Sequence, residues 1–102
     1  MPFYIYITTN PRKTTLYIGM TNDLKERLEE HHDNRGNPET FAGRYYCYKL
    51  IYYEAYRTPY EAIKREKELK KWSRMKKEAL INKVNPDWDF LNYKDDFRVG
   101  RL

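Results

Sequence analysis

Two short alternating runs near the start of the chain constrain its fold more than any other feature. In Phe3 to Thr8, the residues Phe3, Ile5 and Ile7 fall on one side of an extended chain, and Tyr4, Tyr6 and Thr8 on the other. In Thr15 to Met20, Leu16, Ile18 and Met20 share one side, Tyr17 and Gly19 the other. Between the runs, Asn10-Pro11 signals a turn. The pattern predicts an antiparallel hairpin. Pairing Thr8 with Thr15 would set Tyr6 opposite Tyr17, and directly opposed residues point to the same face. A slip of one residue would separate the two hydroxyls.

A helix is expected next, from about Asp23 to His32. Asn22 can cap it, with Asp23 in the first turn, where the positive helix end favours a carboxylate. Leu24, Arg27, Leu28 and His31 follow at spacings of three and four and share one face. The leucines are what an amphipathic helix requires. Arg27 and His31 are polar groups where apolar ones belong, and such breaks of local rules concentrate at functional sites.

The stretch from Asp33 to Thr40 reads as a loop broken by Gly36 and Pro38, and Phe41 to Arg44 is ambiguous. Tyr45 to Tyr56, aromatic and β-branched, predicts a third strand. Thr58-Pro59-Tyr60-Glu61 marks a helix start, with a cap, a proline suited to the first position and a capping box. That helix should reach about Trp72, with Ala62, Ile63, Glu66, Leu69 and Ser73 as its inner stripe. A third helix, Arg74 to Val84, has Met75, Ala79, Leu80 and Val84 as its expected apolar side. It ends at Asn85-Pro86, because the residue before proline avoids the helical region. Pro86 to Leu91 is expected to dock aromatics onto the core. The fold class is α+β: a small three-stranded antiparallel sheet flanked by helices, in the order β-β-α-β-α-α. Residues 1–92 form one domain and 93–102 a loose tail.

The chain of 102 residues carries twenty basic and fifteen acidic groups, a formal charge of +5. Tyr60 to Lys83 holds nine Lys/Arg and four Glu, so the whole excess lies on one helical stretch; the remaining residues carry eleven of each sign. A basic face beside a reactive cleft favours nucleic acid, whereas alone it is a solvated helix surface. A lone cysteine, Cys47, excludes an internal disulfide and a cysteine-only metal site. No apolar run approaches the ~20 residues of a membrane span, and the N-terminus lacks a secretory signal pattern. A cytoplasmic monomer is the expectation.

Five polar groups stand out: Tyr6 and Tyr17 on one strand face, Arg27 and His31 on the first helix, and Glu66 in the stripe of the second. A carboxylate in an apolar stripe is costly unless it finds a cation. Arg27 or a divalent metal would serve. No G-K-[ST] phosphate loop, H-E-x-x-H zinc motif or Gly-x-Ser-x-Gly elbow occurs. His31 and His32 are adjacent, so they cannot share a metal as an i, i+4 pair could.

Tyr4-Ile5-Tyr6, Tyr17-Ile18-Gly19 and Arg27, ten residues beyond Tyr17, together resemble the GIY-YIG nuclease superfamily. The likeness continues through Leu50-Ile51-Tyr52-Tyr53-Glu54, Ala62 to Lys70, Lys77 to Ile81 and Asn85-Pro86-Asp87-Trp88. It is similar to the small stand-alone bacterial branch and to the first-incision domain of bacterial excision repair. The resemblance implies that Tyr6 and Tyr17 are the motif tyrosines, Arg27 the catalytic arginine and Glu66 the metal carboxylate. It also implies an assisting role for His31 and a substrate-binding one for Asn85. Two departures stand out: Tyr4 replaces the first motif glycine, and Met20 stands where some repair members have lysine.

The activity so implied is phosphodiester hydrolysis with one Mg²⁺ or Mn²⁺, probing DNA structure rather than sequence. One tyrosine, Tyr6 by family analogy, would take the proton from water. Lys64, Lys67, Lys70, Lys71 and Arg74 would grip the backbone of the nucleic acid. The alternatives are a non-catalytic nucleic-acid-binding module on the same scaffold, or an interaction protein whose basic helices bind an acidic partner.

Overall fold

A computed structural model describes residues 2–93. The chain runs β1 (Phe3–Thr9), β2 (Leu16–Thr21), α1 (Leu24–Asp33), α2 (Phe41–Arg44), β3 (Lys49–Tyr56), α3 (Pro59–Lys70), α4 (Arg74–Val84) and a 3₁₀ turn (Leu91–Tyr93). The strands form one antiparallel sheet in the order β2-β1-β3. The expected α+β architecture holds, with the single turn α2 added where the sequence was ambiguous. Of the tail expected at 93–102, only the Tyr93 backbone lies within the described residues. No described helix is long and apolar enough to cross a membrane.

The register of the hairpin differs from the expected one by two residues. Thr8 pairs with Tyr17, and Tyr6 lies opposite Gly19. The loop sets this. Asn10 Oδ1 accepts from the backbone N–H of Thr14 and Thr15 at 2.8 and 2.9 Å, and the Thr9 hydroxyl donates to the Thr15 carbonyl at 2.7 Å. These bonds close a loop of six residues, 10–15, after the Thr9–Leu16 pair, which sets Thr8 against Tyr17. A two-residue shift preserves the side-chain period, so Tyr6 and Tyr17 still share a face, as diagonal neighbours.

The sheet is covered on both faces. Ile5, Ile7 and Ile18 pack with Ile51, Ala62, Leu69 and Ile81, which brings α3 and α4 onto one side. Tyr4, Tyr6, Leu50 and Tyr53 pack with Leu24 and Leu28 of α1 on the other. Several boundaries move for identifiable reasons. Asp23, not Asn22, caps α1, accepting from the Glu26 N–H at 3.0 Å. β3 begins at Lys49 rather than Tyr45, because Tyr46 takes a positive φ of 59° and the Cys47 N–H turns back to the Ala42 carbonyl. Thr58 caps α3 as expected, accepting from the Glu61 N–H at 3.2 Å.

The expected apolar side of α4 is corrected. Met75 is 80 % exposed and Val84 is also exposed, while Ile81 is fully buried. Asn85 sets the rotation. Its amide donates to the Ile51 carbonyl at 2.8 Å and the Asp89 carbonyl at 3.1 Å, and its carbonyl accepts from the Asp89 N–H at 3.0 Å. The helix therefore docks through Ile81 and Asn85 rather than along its most apolar line. Trp88 and Phe90 pack against the core, as the sequence anticipated.

One polar network fixes α3 on the sheet. Arg65 reaches Glu54 of β3 with two hydrogen bonds, Nε to Oε1 at 2.9 Å and Nη2 to Oε2 at 3.1 Å. The hydroxyls of Tyr52 and Tyr56, on the same strand face, donate to the same carboxylate. Glu54 is only 13 % exposed. Burial alone would raise its pKa, but Arg65 and the two hydroxyls outweigh it and hold the carboxyl below the usual carboxylate range. Its stabilising effect is thus present above the ordinary carboxylate pKa and lost as pH falls through the lowered folded value. Removing one partner of such a pair strands the other. Glu54→Gln should cost about 2–3 kcal/mol at pH 7, read by denaturant unfolding. The loss should shrink as pH falls below about 4, where the parent also protonates.

Candidate active site

The site is built outward from Tyr6, on the central strand. Its ring is fully buried and crosses β2 at Gly19. A Cβ at position 19 would lie 2.4 Å from the Tyr6 hydroxyl oxygen and 2.6 Å from Cζ. The glycine thus provides the space through which the tyrosine reaches α1. There its hydroxyl meets His31 Nε2 at 2.8 Å. Tyr17 joins them, its ring centroid 6.3 Å from that of Tyr6 and 5.4 Å from that of His31.

The electrostatics assign the proton in this bond. Burial, chiefly, and the neighbouring Tyr17 push the Tyr6 pKa far above its ordinary value, with Arg27 opposing and Glu66 and Glu30 adding to the rise. Burial and then Arg27 lower that of His31, with Glu30 opposing. Tyrosine therefore keeps its proton and donates to a neutral imidazole, whose own proton sits on Nδ1. A neutral imidazole hydrogen-bonded to a phenol is a proton acceptor in place.

Arg27 lies one turn before His31 on the same side of α1. It is half-exposed and pairs with Glu30 at 3.4 Å. Glu66 comes from α3, which packs on the other face of the sheet, and its charge adds to the rise of the Tyr6 pKa. Its side chain is 21 % exposed and contacts Lys70 Nζ at 3.3 Å. The cation beside Glu66 is thus Lys70, one turn along its own helix, rather than Arg27. Among the described residues no three His, Cys, Asp or Glu side chains converge on one point. A single carboxylate with no second ligand fits a hard ion that keeps most of its waters, as Mg²⁺ does, and does not fit a closed zinc site.

The remaining expected residues divide. Lys64, Lys67 and Lys71 are exposed on α3 or at its end, and none is in an ion pair among the described residues. Arg74 is engaged within the fold, donating from Nη1 to the Thr14 carbonyl at 3.0 Å and pairing with Glu78 at 2.8 Å. The side chain of Asn85 is likewise spent on backbone groups, so its geometry is that of a helix terminator rather than of a substrate contact. The sequence reading did not single out Arg65, next to Glu66 on α3, as the residue that anchors the helix. The Tyr52, Glu54, Tyr56 alternation on one strand face was the available signal.

The buried phenol–imidazole pair stands on α1 and β1 with Arg27 one turn before His31, while Glu66 stands on α3. The sequence profile of the GIY-YIG catalytic domain matches residues 2–79, and the chain belongs to that nuclease family. Its relatives include a UPF0213 protein of Bacillus pumilus, 39 % identical over 70 residues, which are 69 % of each chain. A UPF0213 protein of Staphylococcus saprophyticus is 38 % identical over 79 residues, covering 78 % of this chain and 93 % of that one. The solution NMR structure of the UPF0213 protein BH0048 from Bacillus halodurans superimposes with a TM-score of 0.54 at 29 % identity, over 86 % of this chain and 90 % of that one.

Gly19→Ala should displace the Tyr6 ring and break the Tyr6–His31 bond. Overpacking of this kind costs about 1–3 kcal/mol. The measurement is denaturant unfolding together with the His31 ring resonances in NMR. The expected outcome is a lower midpoint and a His31 pKa moving toward its ordinary value.

Proposed function

We propose that this chain is a divalent-metal-dependent nuclease that hydrolyses phosphodiester bonds of DNA and selects structure rather than sequence. The observation that carries the reading is the 2.8 Å bond between the Tyr6 hydroxyl and His31, with Arg27 one turn before His31 on the same helix. Tyr6 is poor as a lone base, because its own proton is held tightly. With His31 behind it, the phenol oxygen takes a proton from the attacking water as its own proton passes to Nε2, leaving an imidazolium that later returns it. The water oxygen forms the new bond to phosphorus, and the 3′ oxygen departs and is protonated from solvent. The products are a 5′ phosphate and a 3′ hydroxyl.

Arg27 forks onto the non-bridging phosphate oxygens as charge builds there. To do so it exchanges its exposed contact with Glu30 for the substrate. Glu66 would hold the Mg²⁺ or Mn²⁺, and when bound this ion neutralises charge on the scissile phosphate and the leaving oxygen. Lys64, Lys67 and Lys71 attract flanking backbone without reading bases.

The test is cleavage of labelled single-stranded, duplex, flap and branched DNA with Mg²⁺, with Mn²⁺ and with chelator. Cutting is expected only with metal, and Glu66→Ala of matched stability should abolish it. Binding without cutting by the parent protein would replace this reading by a non-catalytic nucleic-acid-binding module. Separately, the lowered His31 pKa means that the acceptor is lost only on the acid side. The parent rate should fall as pH drops below the ordinary imidazole value of 6.5. His31→Ala should lower the rate by roughly 10²–10⁴-fold and remove that acid limb, read from the pH profile of single-turnover cleavage.

A further inference from the structure

The aromatic contacts of the site do not stop at Tyr17. Its outer side carries the ring of Phe41, stacked at 6.2 Å with planes 26° apart, and Phe41 in turn meets Tyr45 at 4.8 Å. Phe41 is 52 % exposed and Tyr45 44 %. The rings thus form a continuous line from the buried Tyr6–His31 bond to open solvent.

The frame beneath this line is well tied. Thr40 caps α2, its hydroxyl accepting from the Gly43 N–H at 3.0 Å. The Gly36 N–H donates to the Gly43 carbonyl and the Cys47 N–H to the Ala42 carbonyl, both at 2.8 Å. Gly43 has no room for a side chain, since a Cβ there would lie 2.6 Å from the Asn37 carbonyl oxygen. Two large rings are therefore held outward on a fixed backbone, when turning inward would bury them. That arrangement carries little further ordering cost when a flat partner arrives.

The charged groups around the rings are few. Arg44, on the same turn, binds the Pro38 carbonyl through Nε at 3.2 Å and Nη2 at 2.9 Å. Arg35 binds the His32 carbonyl at 2.6 Å and its ring at 3.2 Å. Neither guanidinium is in an ion pair among the described residues, and Arg44 stands on the same turn as Phe41. The acids nearby are Glu39, exposed in the same loop, Asp33, within 3.8 Å of His32, and Glu30, which is taken by Arg27. Two exposed flat rings with an arginine on the same turn, joined through Tyr17 to the candidate site of a GIY-YIG domain, match an unstacked base.

We propose that Phe41 and Tyr45 form a stacking platform for unpaired bases next to the scissile phosphate, and that the substrate class is a nucleic acid with a single-stranded segment beside the cleaved bond. A base inside a duplex already has both faces covered by its neighbours, whereas an unpaired base offers a free face to these rings. The platform deepens the nuclease reading and rests on it for the site it serves.

The test compares a blunt DNA hairpin with the same hairpin bearing a single-stranded extension. The extension carries 2-aminopurine, and binding is measured in chelator so that cleavage plays no part. The parent should quench the 2-aminopurine. Phe41→Ala, and Phe41→Leu, which keeps the bulk against Tyr17, should weaken binding of the extended hairpin about tenfold and relieve the quench. Phe41→Tyr should restore both. Binding of the blunt hairpin and the slope of affinity against salt should not change, because no cation is removed. Equal loss on both hairpins, no quench by the parent, or a platform occupied by a second copy of the chain in sedimentation would each overturn the proposal. Stacking by a parent protein that never cleaves with metal would uphold the platform and defeat the nuclease reading instead.

Discussion

Position 19 can carry no side chain, and the arrangement of the site follows from that. Tyr6 sits on the central strand, where its hydroxyl would ordinarily be enclosed by its neighbours. With glycine opposite, the ring crosses the edge strand and delivers its oxygen to α1. The hairpin register is thus a chemical constraint as well as a topological one. A shift by two residues would keep every residue on its proper face yet set Tyr6 against Tyr17, with no passage to the histidine.

The second requirement is that α3 keep a fixed position on the opposite face, because Glu66 belongs to that helix. Apolar packing through Ala62 and Leu69 tolerates small slides. The fork of Arg65 onto Glu54 does not, since both carboxylate oxygens also accept from tyrosines of the same strand. The same guanidinium lies 5.1 Å from the Trp72 ring centroid. Adjacent residues thus differ in role: Arg65 anchors the helix, and Glu66 keeps its carboxylate for Lys70 and, on the nuclease reading, for a metal.

Much of this was legible along the chain. Alternation gave the hairpin, Thr58-Pro59 gave the start of α3, and the spacing of Leu24, Arg27, Leu28 and His31 gave the face of α1. Periodicity does not distinguish registers two residues apart, so the contact opposite Tyr6 was invisible until the Asn10 loop was seen. The docking side of α4 was misread because one buried amide, Asn85, outweighs the exposed Met75 and Val84. Stripe spacing points to Arg27 or a metal as the cation for Glu66, but Lys70, expected to grip nucleic acid, lies one turn along the same helix and reaches it first. Phe41 sits in a turn held by backbone bonds among residues 34 to 47, which no local pattern encodes.

The attachment of the C-terminal segment has a consequence for how the molecule opens. The Leu50 N–H on the outer edge of β3 is bound by the Asn92 side chain, and the Asn92 amide returns to the Tyr48 carbonyl at 2.9 Å. Asn85 holds the Ile51 carbonyl a short way along the same strand. An edge strand normally exchanges its outward amides with solvent freely. Here the exchange of Leu50 is governed by release of residues 85–92, so the far edge of the sheet and the last helix open as one cooperative unit. The same unit also reaches the loop before β2, where Lys13 donates to the Asp87 carbonyl at 3.3 Å and Arg74 to the Thr14 carbonyl at 3.0 Å.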